Sequence, residues 1–273
     1  MAKPLKILFF AALLIAAGYF FGSICARVNQ QYQLILSLSK DLMSLVFGVL
    51  LALGTVAVAA GIVAVLFRPF WVCIVAFGLS TLAMLFGWEW RVGTSILALL
   101  YFFVSLIYAR GIAQELDNRL VFSVRPVSES QSLFIMALSV VICGAFYFGY
   151  AAQIEKEGFS IPSSFVEVAM TSMEKQFEQQ PDLTPAQREE VLAKFRQEFE
   201  DKIKKPIEDK VKPYERFIPL AVAIGLLQLM VFVTTFLSWI PILVLRLVFP
   251  LLTALKVAKV VTETREAKRL TLG

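Results

Sequence analysis

Residues 217–258 read FIPLAVAIGLLQLMVFVTTFLSWIPILVLRLVFPLLTALKVA, 42 positions of which only Arg246 and Lys256 are charged. At 1.5 Å per residue, a straight helix of that length reaches about 63 Å, whereas the hydrocarbon of a bilayer is about 30 Å thick. The run is too long for one crossing. Pro241 lacks a backbone donor and disfavours a straight helix, so it divides the run. Phe217–Leu237 then makes one full span, and Ile240–Ala258 is either a seventh crossing or a kinked segment lying at the interface.

Five further apolar runs precede it: about Leu5–Ile24, Met43–Phe67, Phe70–Gly87, Val92–Ala109 and Leu133–Ala152. The first follows Lys3 and Lys6 in the manner of a secretory signal, but it exceeds the about 7–15 residues of a signal's apolar region. It is therefore expected to be retained as a helix. The residues before Cys25 do not fit a lipobox. The composition agrees with spans throughout: 273 residues, 58% hydrophobic, 17% charged and mean hydropathy +0.74, against about 45–50% and about 25% in soluble domains. The expected fold is an all-α membrane protein, a bundle of six transmembrane helices, or seven if Ile240–Ala258 crosses. A helical extracytoplasmic insertion lies between the fifth and sixth.

Basic residues near membrane spans favour the cytoplasmic side. Six spans with a cytoplasmic N-terminus place eleven of them inside: Lys3, Lys6, Arg68, Arg110, Arg119, Arg125, Lys256, Lys259, Arg265, Lys268 and Arg269. Only Arg27, Lys40 and Arg91 then lie in the short outer loops. A seventh span would move the tail outside and leave six against eight. Both termini are accordingly expected in the cytoplasm, and the chain in the plasma membrane. Trp71, Trp88, Trp90 and Trp239 stand at expected span ends, where amphipathic rings favour the head-group layer.

The chain divides into residues 1–152 with five spans, a polar insertion at 153–216, the last apolar region at 217–258 and a basic tail at 259–273. The insertion carries 14 acidic and 11 basic residues. The overall pI of about 9.1 thus reflects loops obeying the membrane charge rule, not a nucleic-acid surface. Within the insertion, Val166, Met170, Met173 and Phe177 fall on one helical face. Thr184-Pro185-Ala186-Gln187 has the form of a capping box with proline at the first helical position. A second stripe follows: Leu192, Phe195, Phe199, Ile203, Ile207, Val211 and Tyr214, with Pro206 and Pro213 dividing its helix. The two stripes can close on each other as a hairpin. The longer one leaves apolar surface over, so Leu192, Phe195, Phe199 and Ile203 form the candidate partner face.

With no histidine, triads, HExxH zinc sites and imidazole relays are excluded. Cys25, Cys73 and Cys143 lie in apolar runs, none paired as CxxC, and read as buried thiols. Phosphate loops are missing, and no acidic residue stands in the middle of a span. No cofactor, metal or catalytic residue is expected, and no enzyme. The polar mid-membrane candidates are Gln228, Thr234 and Arg246, the amide either lining a watery path or bonding a neighbouring helix. Thr55, Ser80, Thr81, Ser105, Ser139 and Thr235 are the lesser ones. Small-residue spacings at Gly18/Gly22, Gly54/Ala57/Gly61 and Ala145/Gly149 permit close helix packing.

The expected partners are the lipid bilayer and a protein, either a different chain or a second copy; nucleic acid is not among them. The expected role is a non-enzymatic scaffold or interaction subunit. A transporter or channel for a neutral or hydrophobic solute is the alternative.

Overall fold

The computed structural model describes residues 3–36, 40–67, 69–118, 125–160, 205–255 and 257–258, with 194, 197 and 202 besides. The described residues form helices and turns, with no strand. The helices are α1 (Lys3–Gln30), α2 (Tyr32–Leu36), α3 (Lys40–Leu66), α4 (Phe70–Phe86), α5 (Val92–Asn118), α6 (Arg125–Glu157), α7 (Lys205–Val211), α8 (Ile218–Leu237) and α9 (Trp239–Ala254). Among them five segments are long and apolar enough to cross a membrane; α4, at 17 residues, is shorter. Most of the insertion, the Leu192, Phe195, Phe199 and Ile203 face and the tail at 259–273 lie outside the described residues.

Helices α1, α3, α5 and α6 outrun the apolar stretches by several residues. Regular backbone hydrogen bonding continues into water once a span has nucleated it, so hydropathy marks the buried length and not the helix end. α6 begins two turns early for another reason, at Arg125 instead of Leu133, since Val127 and Gln131 of those turns are buried against the bundle. Pro213 begins a 3-10 turn (Lys212–Phe217) that leads into α8. The divide in the last apolar region lies at Ser238, three residues before Pro241. Pro241 has no N–H for the Leu237 carbonyl four residues back, and its ring crowds that carbonyl, so the break falls one turn before the proline. Thr234, Thr235 and Ser238 also donate back to the carbonyls of Met230, Val231 and Thr235, a pattern that bends helices. Ser238 keeps helical angles (φ −58°, ψ −25°), so α9 continues α8 through a bend.

α1 is the hub, packed against α3, α4 and α6. It runs parallel to α4, with Gly18 facing Ser80 and Gly22 facing the Met84 backbone so closely that a Cβ at either would overlap it. Its far end meets α6, where Gly149 faces the Asn29 backbone and Asn29 Nδ2 donates to the Ala145 carbonyl at 3.0 Å. The small-residue pairs of α1 and α6 thus find partners within this chain. α5 and α6 form an antiparallel pair, Gly93 against Phe148 and Gly144 against Leu97. Phe21, Phe77, Tyr101, Phe134 and Phe146 fill the interior, and all three cysteines are buried and form no disulfide.

Two contacts close the chain. Lys6 Nζ donates to the Val257 carbonyl at 2.9 Å, and the Phe159 N–H donates to Glu215 Oε2 at 3.3 Å. The first gathers the start of α1 and the end of α9 at one end of the bundle; the second gathers the ends of α6 and of the insertion at the other. Trp71 and Trp90 are exposed near helix ends, whereas Trp88 is buried. Trp239 begins a helix, but its neighbours Ile240 and Pro241 pack beside Leu50 and Gly54, midway along α3. That tryptophan marks the bend, at a depth the sequence does not reveal.

Overpacking at a backbone contact cannot be relieved by a rotamer change. Gly22→Leu is expected to lower stability by about 3 kcal/mol or more. Gly54→Ala, with nothing within 4 Å of its added methyl, should be neutral or stabilising by about 1 kcal/mol. Thermal unfolding in detergent, followed by circular dichroism, checks both.

Candidate functional site

Three regions of the described residues hold polar chemistry within or beside the apolar bundle. The first is internal. Ser80 Oγ lies 3.1 Å from the Leu14 carbonyl and 2.9 Å from Tyr101 Oη, tying α4 to α1 and α5. Two turns along α5, Tyr108 Oη donates to Gln131 Oε1 of α6 at 2.9 Å, and the Tyr108 ring stacks on Phe134. Gln131 is fully buried, and its Nε2 has no hydrogen-bond partner among the described residues. Ser105 and Ser139 return their protons to carbonyls one turn back, as does Thr81. Ser80, Tyr101, Tyr108 and Gln131 thus join helices, the other hydroxyls bond within their own helix, and among the described residues these groups form no nucleophile–base pair. Among the described residues no three His, Cys, Asp or Glu side chains come together as a metal site.

The second region is the seam between α1 and α3, which cross antiparallel with Ile24 against Gly48. On one face of this seam, α1 presents Leu13, Ala17, Phe20, Ile24, Arg27 and Gln31 at steps of three or four. α3 answers with Asp41, Ser44, Gly48, Leu51, Thr55 and Val58 in the same rhythm. The end nearest α2 is a cup of about 560 Å³ whose polar lining is Arg27, Gln30, Gln31, Gln33, Asp41 and Ser44, with Ile24, Leu34, Leu45 and Gly48 forming the rest of its wall. Further down lies an apolar trough of about 590 Å³, closed at its lower side by Ile240, Pro241 and Val244 of α9.

The third region is α8. Its inner face packs on α6, with Leu226, Met230 and Val233 beside Ile142 and Phe146. Ala221, Gly225, Gln228 and Phe232, at steps of four, three and four, are exposed on its outer side. Nothing lies within 4 Å of a Cβ built at Gly225. Gln228 therefore faces away from the bundle. Thr234 is buried and lines a small cavity of about 70 Å³ at the α8–α9 bend with Ser238, Pro241 and Ile135. Arg246 is exposed on α9, opposite the buried Pro241, Leu245 and Phe249. The three mid-membrane candidates thus point to three different surroundings and form no common route.

Glu89 and Arg91 pair at 2.6 Å, both partly exposed, in the turn between α4 and α5. Such a surface pair contributes little. Tyr101, Tyr108 and Gln131 escape a hydropathy reading, since Gln131 precedes the apolar run of its span. A periodicity reading finds Gln131, because Val127, Gln131, Phe134, Leu138, Val141 and Ala145 form one buried stripe at steps of four and three.

No protein-family model matches this chain, and no curated protein or solved structure is significantly similar to it. The fold and its surfaces define a class: an all-helical, membrane-embedded protein with its polar groups spent on helix contacts and on outward-facing patches.

Tyr108→Phe removes the one partner that Gln131 has here, and leaving a buried amide unsatisfied costs about 1–3 kcal/mol. Replacing both groups, Tyr108→Phe with Gln131→Leu, is expected to recover most of that loss. A double-mutant cycle on thermal stability in detergent reads the difference.

Proposed function

We propose that this protein is a six-pass integral membrane protein of the plasma membrane, both ends cytoplasmic, that works as a non-enzymatic interaction subunit. The observation that carries the reading is the outer side of α8: small residues at Ala221 and Gly225 and an amide at Gln228, exposed along an otherwise apolar span. An amide turned to lipid gains from any helix that offers it a hydrogen bond, and small residues let that helix approach closely. The extracytoplasmic insertion, with its Leu192, Phe195, Phe199 and Ile203 stripe, extends the same contact beyond the membrane. The topology is supported by the two closing contacts. Lys6 beside Val257 requires an even number of crossings between them, and Phe159 beside Glu215 returns the insertion to the side it left. α9, which begins midway along α3 and ends at Ala254, three residues before Val257, completes the crossing that α8 begins. The excess of basic residues puts the Lys6 end inside.

The cavity between Thr234 and Ser238 favours a second reading, a conduit for a neutral or hydrophobic solute, since broken helices line many transport routes. It predicts loss of flux on Thr234→Val with assembly unchanged.

Two experiments test the proposal. In mild detergent or nanodiscs the protein should run as an assembly larger than one chain. Gln228→Leu should weaken that assembly about threefold, the size of one interhelical hydrogen bond in a membrane. A lone monomer, together with pull-downs through the insertion that recover nothing, would contradict the role. For sidedness, a membrane-impermeant maleimide should label Tyr214→Cys in intact cells and Thr271→Cys only after permeabilisation. The reverse pattern inverts the topology.

A further inference from the structure

Arg27 and Asp41 both line the polar cup at the head of the α1–α3 seam, and both are exposed. They form no ion pair with each other, nor with any other described residue. Their signs suit their places, a cation in the last turn of α1 and an anion in the first turn of α3. Helix-end electrostatics does not account for the rest of the cup. Gln30, Gln31, Gln33 and Ser44 gather there too, so a net-neutral hollow offers one cation, one anion and several neutral hydrogen-bonding groups. Directly below, along the same two helix stripes, the surface becomes the apolar trough bounded by α9. Each compartment falls in the about 300–1,000 Å³ range of small-molecule sites.

A ligand that complements both parts must itself carry one negative and one positive group at one end and a long apolar body behind them. We infer that the α1–α3 seam binds one zwitterionic membrane phospholipid of the ethanolamine type. Its phosphate lies on Arg27, its ammonium on Asp41, and its acyl chains in the trough that runs to Ile240 and Pro241. Arginine suits the phosphate because its planar fork can donate two parallel hydrogen bonds to it. The position suits a lipid because Arg27 follows directly on the apolar part of α1, where the head-group layer begins. Gly54 keeps the trough open, since no atom lies within 4 Å of where its Cβ would be.

The full chain, delipidated in detergent and then reconstituted with equal amounts of phosphatidylethanolamine and phosphatidylglycerol, supplies the test, with retained lipid counted by native mass spectrometry. The wild type should retain phosphatidylethanolamine in preference. Arg27→Gln should lower that retention about tenfold, the loss of one charge-assisted contact. Asp41→Asn gives the cup a net positive charge and should turn the preference toward phosphatidylglycerol by about threefold. Gly54→Leu should expel the lipid by filling the trough, and free phosphoethanolamine should compete only weakly. Unchanged helicity and thermal midpoint certify each variant; should Arg27→Gln fail to fold, Arg27→Lys, keeping charge but not the fork, should show a partial loss. Equal retention of the two lipids by the wild type would overturn the inference. So would phosphatidylethanolamine retention indifferent to both Arg27→Gln and Gly54→Leu, or full displacement by free phosphoethanolamine.

Discussion

The structure depends on backbones touching where lipid gives helices no hydrophobic reason to associate. Lipid tails are as apolar as leucine, so packing contacts, interhelical hydrogen bonds and lipid entropy must hold a bundle together. α1 meets that condition at both ends. Gly18 and Gly22 let it lie on the backbone of α4, and Gly149 lets α6 close on Asn29. Hydrogen bonds then pin the approach: Ser80 to the Leu14 carbonyl on one side and Asn29 to the Ala145 carbonyl on the other. Once α1 is held, α3 and α5 complete the bundle. α8 and α9 lie across its outside, with few of their residues buried.

This arrangement sorts the polar residues by purpose. Those turned inward, such as Ser80, Tyr101, Tyr108 and Gln131, find each other or a carbonyl and fix how helices sit. Those turned outward, Gln228 on α8 and Arg27 with Asp41 at the head of the seam, have no such partners here and face the membrane or its surface. Interior polar groups therefore speak for stability and exterior ones for recognition.

Much of the architecture was legible in the sequence because lipid imposes a coarse code of length and hydropathy. The apolar runs all became helices, and Phe70–Gly87 matched α4 almost residue for residue, since Pro69 and Gly87 bound it on both sides. The divide near Pro241 was legible: the expected Phe217–Leu237 is α8, Ile218–Leu237, and α9 begins at Trp239. The missing N–H of Pro241 breaks the helix one turn before it, and the back-bonded hydroxyls of Thr234, Thr235 and Ser238 act on the same turn. Trp239 stands where the sequence put it, just after the end of α8, and that helix end lies beside Leu50 and Gly54, midway along α3. Gln228 was found by composition, but its outward direction belongs to tertiary packing. The α1–α3 cup was not foreseen, because Arg27 and Asp41 lie in separate helices and the antiparallel register that joins them is set by Ile24 against Gly48.

All of this requires that the apolar girdle faces lipid. Along α5, Ile96, Leu99, Phe103 and Ile107 are exposed to more than half of their area, while Tyr101 and Ser105 between them are buried. Spin labels placed singly at those four outward positions and at Tyr214, in reconstituted vesicles, read this directly through collisions with oxygen and with a water-soluble nickel chelate. Oxygen access exceeding nickel access on α5, most of all at Leu99 and Phe103, with the opposite at Tyr214, is the expected result. Nickel access at Phe103 equal to that at Tyr214 would mean that water, not hydrocarbon, surrounds the bundle, and the account would be wrong.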